Sequence, residues 1–128
     1  MFRTLIIEDS YLYRRLLKET LQARFPKMEI LEARDGEEAL SSITLNPPQL
    51  IFMDIKLPGE SGLELTQKIK EQYPEITIII LTSYDLPEYR EAASQYRANL
   101  FLSKSSVTKE GILTLVESIL SQHSSNMK

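Results

Sequence analysis

Four short stretches of this 128-residue sequence carry side chains able to do chemistry together: Glu8-Asp9, Asp54, Thr82-Ser83 and Ser103-Lys104. They supply three carboxylates, several hydroxyls and one ammonium. Carboxylates gathered in one place repel: two unit charges ~4 Å apart cost about 4 kcal/mol at an effective dielectric near 20. Lys104 offsets part of that charge. A divalent ion is the natural second cation, and an all-oxygen donor set favours a hard one such as Mg²⁺. A hard ion with open positions also binds phosphate oxygens and neutralises charge that develops during phosphoryl transfer. A carboxylate is itself a nucleophile toward phosphorus and forms an aspartyl phosphate. Asp54 is the best-placed acceptor, because it follows an apolar run and so stands on a rigid support.

This chemistry requires that the four stretches meet. The chain alternates short apolar runs with helical periods, five times over. Strands are expected at Thr4–Glu8, Glu29–Ala33, Leu50–Asp54, Ile76–Thr82 and Asn99–Ser103. The runs Leu50 to Met53 and Ile76 to Leu81 are nearly continuous rather than alternating, as in parallel strands covered on both faces. Helical spacing appears in Leu12/Leu16 with Tyr13/Leu17/Leu21, in Leu65/Ile69, in Leu86/Tyr89/Ala93/Tyr96 and in Ile112/Leu115/Val116/Ile119. The segment Gly36 to Ile43 carries the weakest pattern. Asp35 with Glu38, and Ser61 with Glu64, match the capping-box spacing. All six prolines fall in loops or at helix starts. Alternating strand–helix units imply a parallel sheet with right-handed crossovers. All strand ends then point one way, and ligands sit beyond the carboxyl ends. Four of the five expected strands end in the residues above.

Each of these residues has a plainer reading. Asp9 or Ser10 can cap the first helix, Thr82 or Ser83 the fourth, and Lys104 can be an ordinary exposed lysine. Their joint appearance at four strand ends outweighs those readings. His123 lies in the polar tail and is given no catalytic role. Tyr11, Tyr13, Tyr89 and Tyr96 read as helix packing. Asp35-Gly36-Glu37-Glu38 and Glu88-Tyr89-Arg90-Glu91 read as solvated helix faces.

Composition narrows the classes. Apolar residues make up 42%, an ordinary globular level. With no cysteine, disulfide, zinc–thiolate and thiol chemistry are excluded. No basic-then-apolar leader precedes the first strand, and a reducing cytoplasm is the expected compartment. The longest apolar stretch, Ile76 to Leu81, is far too short to cross a bilayer. Fifteen basic against 18 acidic residues give a net charge of −3, which argues against direct nucleic-acid binding by this domain. Residues 1–121 are expected to form one domain, with 122–128 a polar tail or the start of a linker that frays from Ser121.

Taken in order, Glu8-Asp9, Asp54-Ile-Lys-Leu-Pro-Gly59, Gly62, Leu81-Thr82-Ser83 and Phe101-Leu-Ser-Lys104 closely resemble the receiver domain of bacterial two-component response regulators, over residues 3 to about 121. The resemblance implies a flavodoxin-like (CheY-like) α/β fold: a doubly wound five-stranded parallel sheet, order 2-1-3-4-5, with five helices. It implies that Asp54 takes a phosphoryl group from a histidine kinase. By position, Asp9, Asp54 and the main-chain carbonyl of Lys56 would bind Mg²⁺, and Glu8 would act directly or through water. Thr82 would hydrogen-bond the phosphoryl group and Lys104 would pair with it. Phe101 stands at the family's aromatic switch position, free to turn inward when Thr82 moves. The output would be an attached domain, a separate target protein or a phosphorylation-dependent homodimer.

Three departures from the family pattern stand out. Lys104 is followed by Ser105 rather than proline, as in members resembling the NarL/FixJ class, whose output is a DNA-binding domain. A cis bond before a non-proline residue costs roughly 2.5–4 kcal/mol, which favours trans. Phe101 replaces the usual tyrosine, so a switch there works by packing alone. Arg97-Ala98 stands where a Gly-Ala pair is common, which alters the turn before the fifth strand. Lys56 and Tyr84 occupy variable positions beside the site, able to admit or block water. Two other functions compete. An Asp-nucleophile phosphotransferase or phosphatase would want a second carboxylate two residues after Asp54, where Lys56 stands, and a cap segment. A nucleotide- or flavin-binding module would want a glycine-rich loop after the first strand, where two acids stand instead.

Overall fold

Five runs of apolar and β-branched residues become strands: β1 (Arg3–Ile7), β2 (Glu29–Ala33), β3 (Leu50–Met53), β4 (Thr77–Thr82) and β5 (Leu100–Ser103). Five helices alternate with them: α1 (Tyr11–Arg24), α2 (Gly36–Leu45), α3 (Gly62–Gln72), α4 (Pro87–Gln95) and α5 (Lys109–Asn126). The computed structural model describes residues 1–126. All neighbouring strands pair in parallel, in the order β2-β1-β3-β4-β5. This is the expected order.

Alternation along the strands builds two apolar layers. Leu5, Ile7, Ile51, Met53, Ile78 and Ile80 face one way, against Ala39 and Ile43 of α2, Leu65 and Ile69 of α3 and Ala93 of α4. Ile6, Phe52, Ile79 and Leu81 face the other way, against Leu17 and Leu21 of α1 and Ile112 and Val116 of α5. With both faces covered, every residue of β3 is buried, which explains its unbroken apolar run. Each fully buried Leu, Ile or Phe contributes about 1.5–3 kcal/mol, so these layers hold the sheet rigid beneath its loops.

Several local expectations shift. The strands sit one residue away from their expected bounds at several ends, which moves Glu8 and Asp54 from last strand residue to first loop residue. They remain anchored, since the Glu8 N–H donates to Ala33 C=O and the Asp54 N–H to Ile7 C=O, both at 3.0 Å. Leu12 and Leu16 are 77% and 58% exposed, so only the Tyr13/Leu17/Leu21 side of α1 faces the core. The segment with the weakest pattern is a full helix, α2. Asp35 caps it by accepting from the Glu38 N–H, and Glu38 reaches back to the Arg34 N–H, both at 2.9 Å. Ser61 caps α3 by accepting from the Leu63 N–H. Neither Thr82 nor Ser83 caps α4: its N-cap is Leu86, with Pro87 in the first turn. No peptide bond among the described residues is cis, the Lys104–Ser105 bond included. Arg97 takes φ +70°, the left-handed conformation that a glycine would adopt without strain. Helix α5 continues to Asn126, past the Ser121 from which fraying was expected, and His123 within it packs edge-on against Phe2. Residues 127–128 of the expected tail lie outside the described residues.

Candidate functional site at the carboxyl end of the sheet

Strand register decides what meets at the sheet's carboxyl end. Ile7 pairs with Met53, Met53 with Ile80, and Thr82 with Ser103. The residues that follow, Glu8, Asp54 and Lys104, therefore emerge side by side, with Thr82 closing the row. Each loop is held by a local device. In the β1–α1 loop, Ser10 caps α1 by accepting from the Tyr13 N–H. After β3, the Gly62 N–H donates to Ile55 C=O at 2.7 Å, folding the start of α3 back onto the strand end. A Cβ at Gly62 would lie 1.9 Å from the Asp54 carbonyl oxygen, so only glycine permits that approach. Within the same loop Gly59 has φ +86° and supplies the turn. After β5, the Lys104 N–H donates to Thr82 C=O at 2.8 Å.

The two buried carboxylates are arranged alike. Each has one oxygen on a backbone N–H and the other on the same ammonium. Glu8 accepts from the Ser10 N–H at 2.9 Å and from Lys104 Nζ at 2.5 Å. Asp54 accepts from the Ile55 N–H at 2.7 Å and from Lys104 Nζ at 3.3 Å. Two acids share one cation, so the cluster keeps net negative charge. Burial pushes the Glu8 carboxyl above its ordinary range, and the Asp54 charge adds to that, while Lys104 opposes both. Burial alone would lower the Lys104 ammonium; its hydrogen bond to Glu8 and the charge of Asp54 overcome that and hold it above its ordinary value. Lys104 is thus kept charged beside Asp54.

The expected residues divide into those in contact and those nearby. Glu8, Asp54 and Lys104 are joined directly. Thr82 is fully buried at the end of β4, its Oγ1 accepting from the Tyr84 N–H at 3.3 Å. Asp9 is exposed on the β1–α1 loop. Lys56 is exposed in the β3–α3 loop, where a bridge to Ser61 folds the chain, and its ammonium lies 5.1 Å from the Tyr84 ring. Phe101, half-buried on β5, carries the Arg90 guanidinium 4.6 Å over its ring. Two residues escaped the sequence reading. Tyr13, read as packing, presents its ring 4.1 Å from Lys104 Nζ. Arg14 donates to Glu8 C=O at 2.7 Å and pairs with Glu32 at 3.0 Å, bracing the β1–α1 loop. The helical position of Arg14, one turn after the Ser10 cap, is the only signal in the sequence that could have found it.

The donor chemistry suits a hard cation. Glu8 Oε1 and Asp54 Oδ2 are oxygen donors already serving one cation, the ammonium, and Asp9 stands next in sequence to Glu8. Among the described residues, however, no three acidic, histidine or cysteine side chains converge as a ready-made cage. Glu8 and Asp54 are in place, and Asp9 is not drawn in.

Comparison with known proteins meets this geometry. Residues 4–117 match the model of the response regulator receiver domain. The Staphylococcus aureus (strain NCTC 8325) transcriptional regulatory protein HptR is 35% identical over 130 residues, covering 98% of this chain and 51% of that protein. The chain spans about half the length of the curated relatives it matches. Among solved structures, a CheY-like receiver domain protein from Methanospirillum hungatei JF-1 superposes with a TM-score of 0.88 at 25% identity, covering 98% of each chain. The Mn²⁺-bound form of the response regulator Rcp1 superposes with a TM-score of 0.78 at 26% identity, covering 89% of this chain and 88% of that one. A family match over nearly the whole chain, on a sheet of the matching order, shows that this chain belongs to the response regulator receiver domain family, the receiver module of two-component signalling.

Proposed function

We propose that Asp54 is the phosphoryl acceptor of this receiver domain and that Lys104, Thr82 and Phe101 turn its phosphorylation into a change of surface. The observation that carries this reading is the shared ammonium. Lys104 touches Glu8 and Asp54 together, at 2.5 and 3.3 Å, and lies only 14% exposed. A charged donor held there can follow the acceptor oxygen onto an incoming phosphoryl group. The Asp54 carboxylate attacks phosphorus and the bond from phosphorus to the donor breaks (P–N to a kinase histidine, P–O in acetyl phosphate); the imidazole or acetate leaves with that electron pair. Lys104 then exchanges a carboxylate partner for a phosphoryl oxygen, an exchange of charge-assisted hydrogen bonds. Thr82 gives up the Tyr84 N–H and turns its hydroxyl to the phosphoryl group. Phe101 moves into the space vacated, leaving the Arg90 guanidinium.

Glu8, Asp9, Asp54 and the Lys56 carbonyl would hold a divalent cation, Mg²⁺ in this reading. Bound there, it would neutralise charge on the transferred group. The oxygen donors and the Mn²⁺ in the Rcp1 structure support a divalent ion. The donor would be a histidine kinase. The length of the relatives supports an output domain beyond this module, and HptR's designation as a transcriptional regulator makes transcription the proposed output. A phosphorylation-dependent homodimer is a second route to that output. No described helix is long and apolar enough to cross a membrane, and the proposed compartment is the cytoplasm. Residues 1–121 would be the receiver proper, with 122–128 leading out of it. The domain would act as an acceptor with at most slow self-dephosphorylation, not as a turnover enzyme, because Lys56 stands where a second acid–base carboxylate would be wanted.

Acetyl phosphate with Mg²⁺ tests the reading. One labile phosphoryl group should form per chain, fail to form in Asp54→Asn, and fail to form when a chelator removes the cation. Labelling of Asp54→Asn at the wild-type rate, or many turnovers per chain, would overturn it.

A further inference from the structure

Tyr13 lies in the first turn of α1 and packs, half-buried, against the layer that contains Leu17 and Phe52. Its ring face does something else: it covers the Lys104 ammonium at 4.1 Å. An ammonium has three N–H donors and no acceptor. Glu8 and Asp54 take two of them. The ring covers a further side of Nζ, where an aromatic quadrupole attracts a cation without bringing formal charge. That distinction matters here. A third carboxylate would also satisfy Lys104, but it would add negative charge to a cluster that must receive a phosphoryl group. Glu8, moreover, is a shared partner: a cation bound through its Oε1 takes that oxygen from Lys104. Asp54 and the Tyr13 face are then what keeps a flexible four-carbon side chain from swinging to solvent.

We propose that Tyr13 is a positioning residue for phosphoryl transfer, its aromatic face holding the Lys104 ammonium over the Asp54 carboxylate. This deepens the reading above and rests on Asp54 being the acceptor. Because the ring face makes the contact, the phenol oxygen is dispensable.

The test uses the 128-residue chain, with acetyl phosphate and Mg²⁺ as probe. In the unphosphorylated protein, the ε-methylene protons of Lys104 should be shifted upfield by the ring. The shift should persist in Tyr13→Phe and vanish in Tyr13→Leu. Labelling of Asp54 should slow about five-fold in Tyr13→Leu, the size of one cation–π contact, and Tyr13→Phe should rescue it. Tyr13→Met supplies apolar bulk without a ring and should behave as Tyr13→Leu does, which covers the case that leucine leaves an unstable cavity. Absence of the upfield shift in the wild type, a Tyr13→Phe protein as slow as Tyr13→Leu, or Tyr13→Met at the wild-type rate would each overturn the proposal. Labelling that survives Asp54→Asn while the shift is present would sink the acceptor reading and leave the Lys104–Tyr13 contact standing, so the two failures are distinguishable.

Discussion

Two lysines are largely buried at opposite ends of the sheet, and they live in opposite electrostatic worlds. Lys104, beyond the carboxyl end of β5, has two carboxylates and an aromatic face around it, and its ammonium is held above its ordinary value. Lys70, in the last turn of α3, is 5% exposed and donates to Ile76 C=O at 2.6 Å, just before β4, and to Pro74 C=O at 3.4 Å. Burial, then the charge of Arg97, push Lys70 below its ordinary value, with Glu75 opposing. Backbone carbonyls satisfy its donors but do not repay the full cost of desolvating a charge. Lys70 staples the α3–β4 turn. Lys104 keeps a cation between two buried carboxylates. Burial of a lysine therefore does not mark a site; the identity of its partners does.

The largest effect that separates them is kinetic. Lys104→Ala should slow labelling by acetyl phosphate about ten- to one-hundred-fold, the size of one hydrogen bond to a charged group, and should leave cation binding largely intact. Lys70→Met should label at the wild-type rate, with stability changed by at most about 2 kcal/mol, since an orphaned carbonyl is offset by removal of a buried charge. Equal slowing in both variants would erase the contrast between the two lysines.

Support for Asp54 is the next distinction to press. No glycine stands in the turn that Lys70 staples, whereas Gly62 is pressed against the Asp54 carbonyl. Gly62→Ala must move either α3 or Asp54, at a cost of about 3 kcal/mol by the usual scale for overpacking. Denaturant unfolding would measure the loss. A cost below about 1 kcal/mol would mean that the strand end yields easily and is no rigid support.

Alkaline titration should give the two lysines opposite signs. The folded value of Lys70 lies below 10.5, so between that value and 10.5 the unfolded chain binds more protons. Its destabilising contribution is complete below the folded value and is relieved as pH rises toward 10.5. The folded value of Lys104 lies above 10.5, so its contribution is fully present below 10.5 and is lost as pH rises through the folded value. Unfolding free energies of the wild type relative to Lys70→Met should thus improve from neutral pH toward 10.5. A flat difference would place Lys70 at an ordinary, solvated value.

Much of this arrangement was readable in the chain. The central strands advertise themselves as nearly unbroken apolar runs, the outer ones were found from the strand–helix alternation, and the polar residues at their ends followed. What periodicity could not settle was orientation. Leu12/Leu16 and Tyr13/Leu17/Leu21 satisfy helical spacing equally well. Only the docking of α1 against Ile6, Phe52 and α5 decides that the second set is buried. Lys70 left no signal, because its partners are main-chain carbonyls, which every residue owns. Tyr13 was readable as apolar bulk and no more; the face it shows Lys104 depends on that side chain reaching from the end of β5 to Glu8 and Asp54. Asp9 stands exposed next to Glu8, at the rim where its spacing put it.

The smallest effect concerns what lies beside Lys70. Arg97 ends α4 with φ +70°, between an Arg97 N–H to Ser94 C=O bond and an Ala98 N–H to Ala93 C=O bond, the double closure of a Schellman turn. A side chain in that conformation costs about 1 kcal/mol. Glycine removes the strain but loosens the unfolded chain by about 0.4–1 kcal/mol. Arg97→Gly should therefore stabilise by no more than about 0.5 kcal/mol through the backbone. It also deletes the like charge that helps depress Lys70, so the Lys70 ε-methylene titration should move up while that of Lys104, at the other end of the sheet, stays put. A Lys70 titration unmoved by the substitution would leave desolvation as the sole cause. The difference between the two lysines would then lie in hydrogen-bond partners alone, with no part played by neighbouring cations.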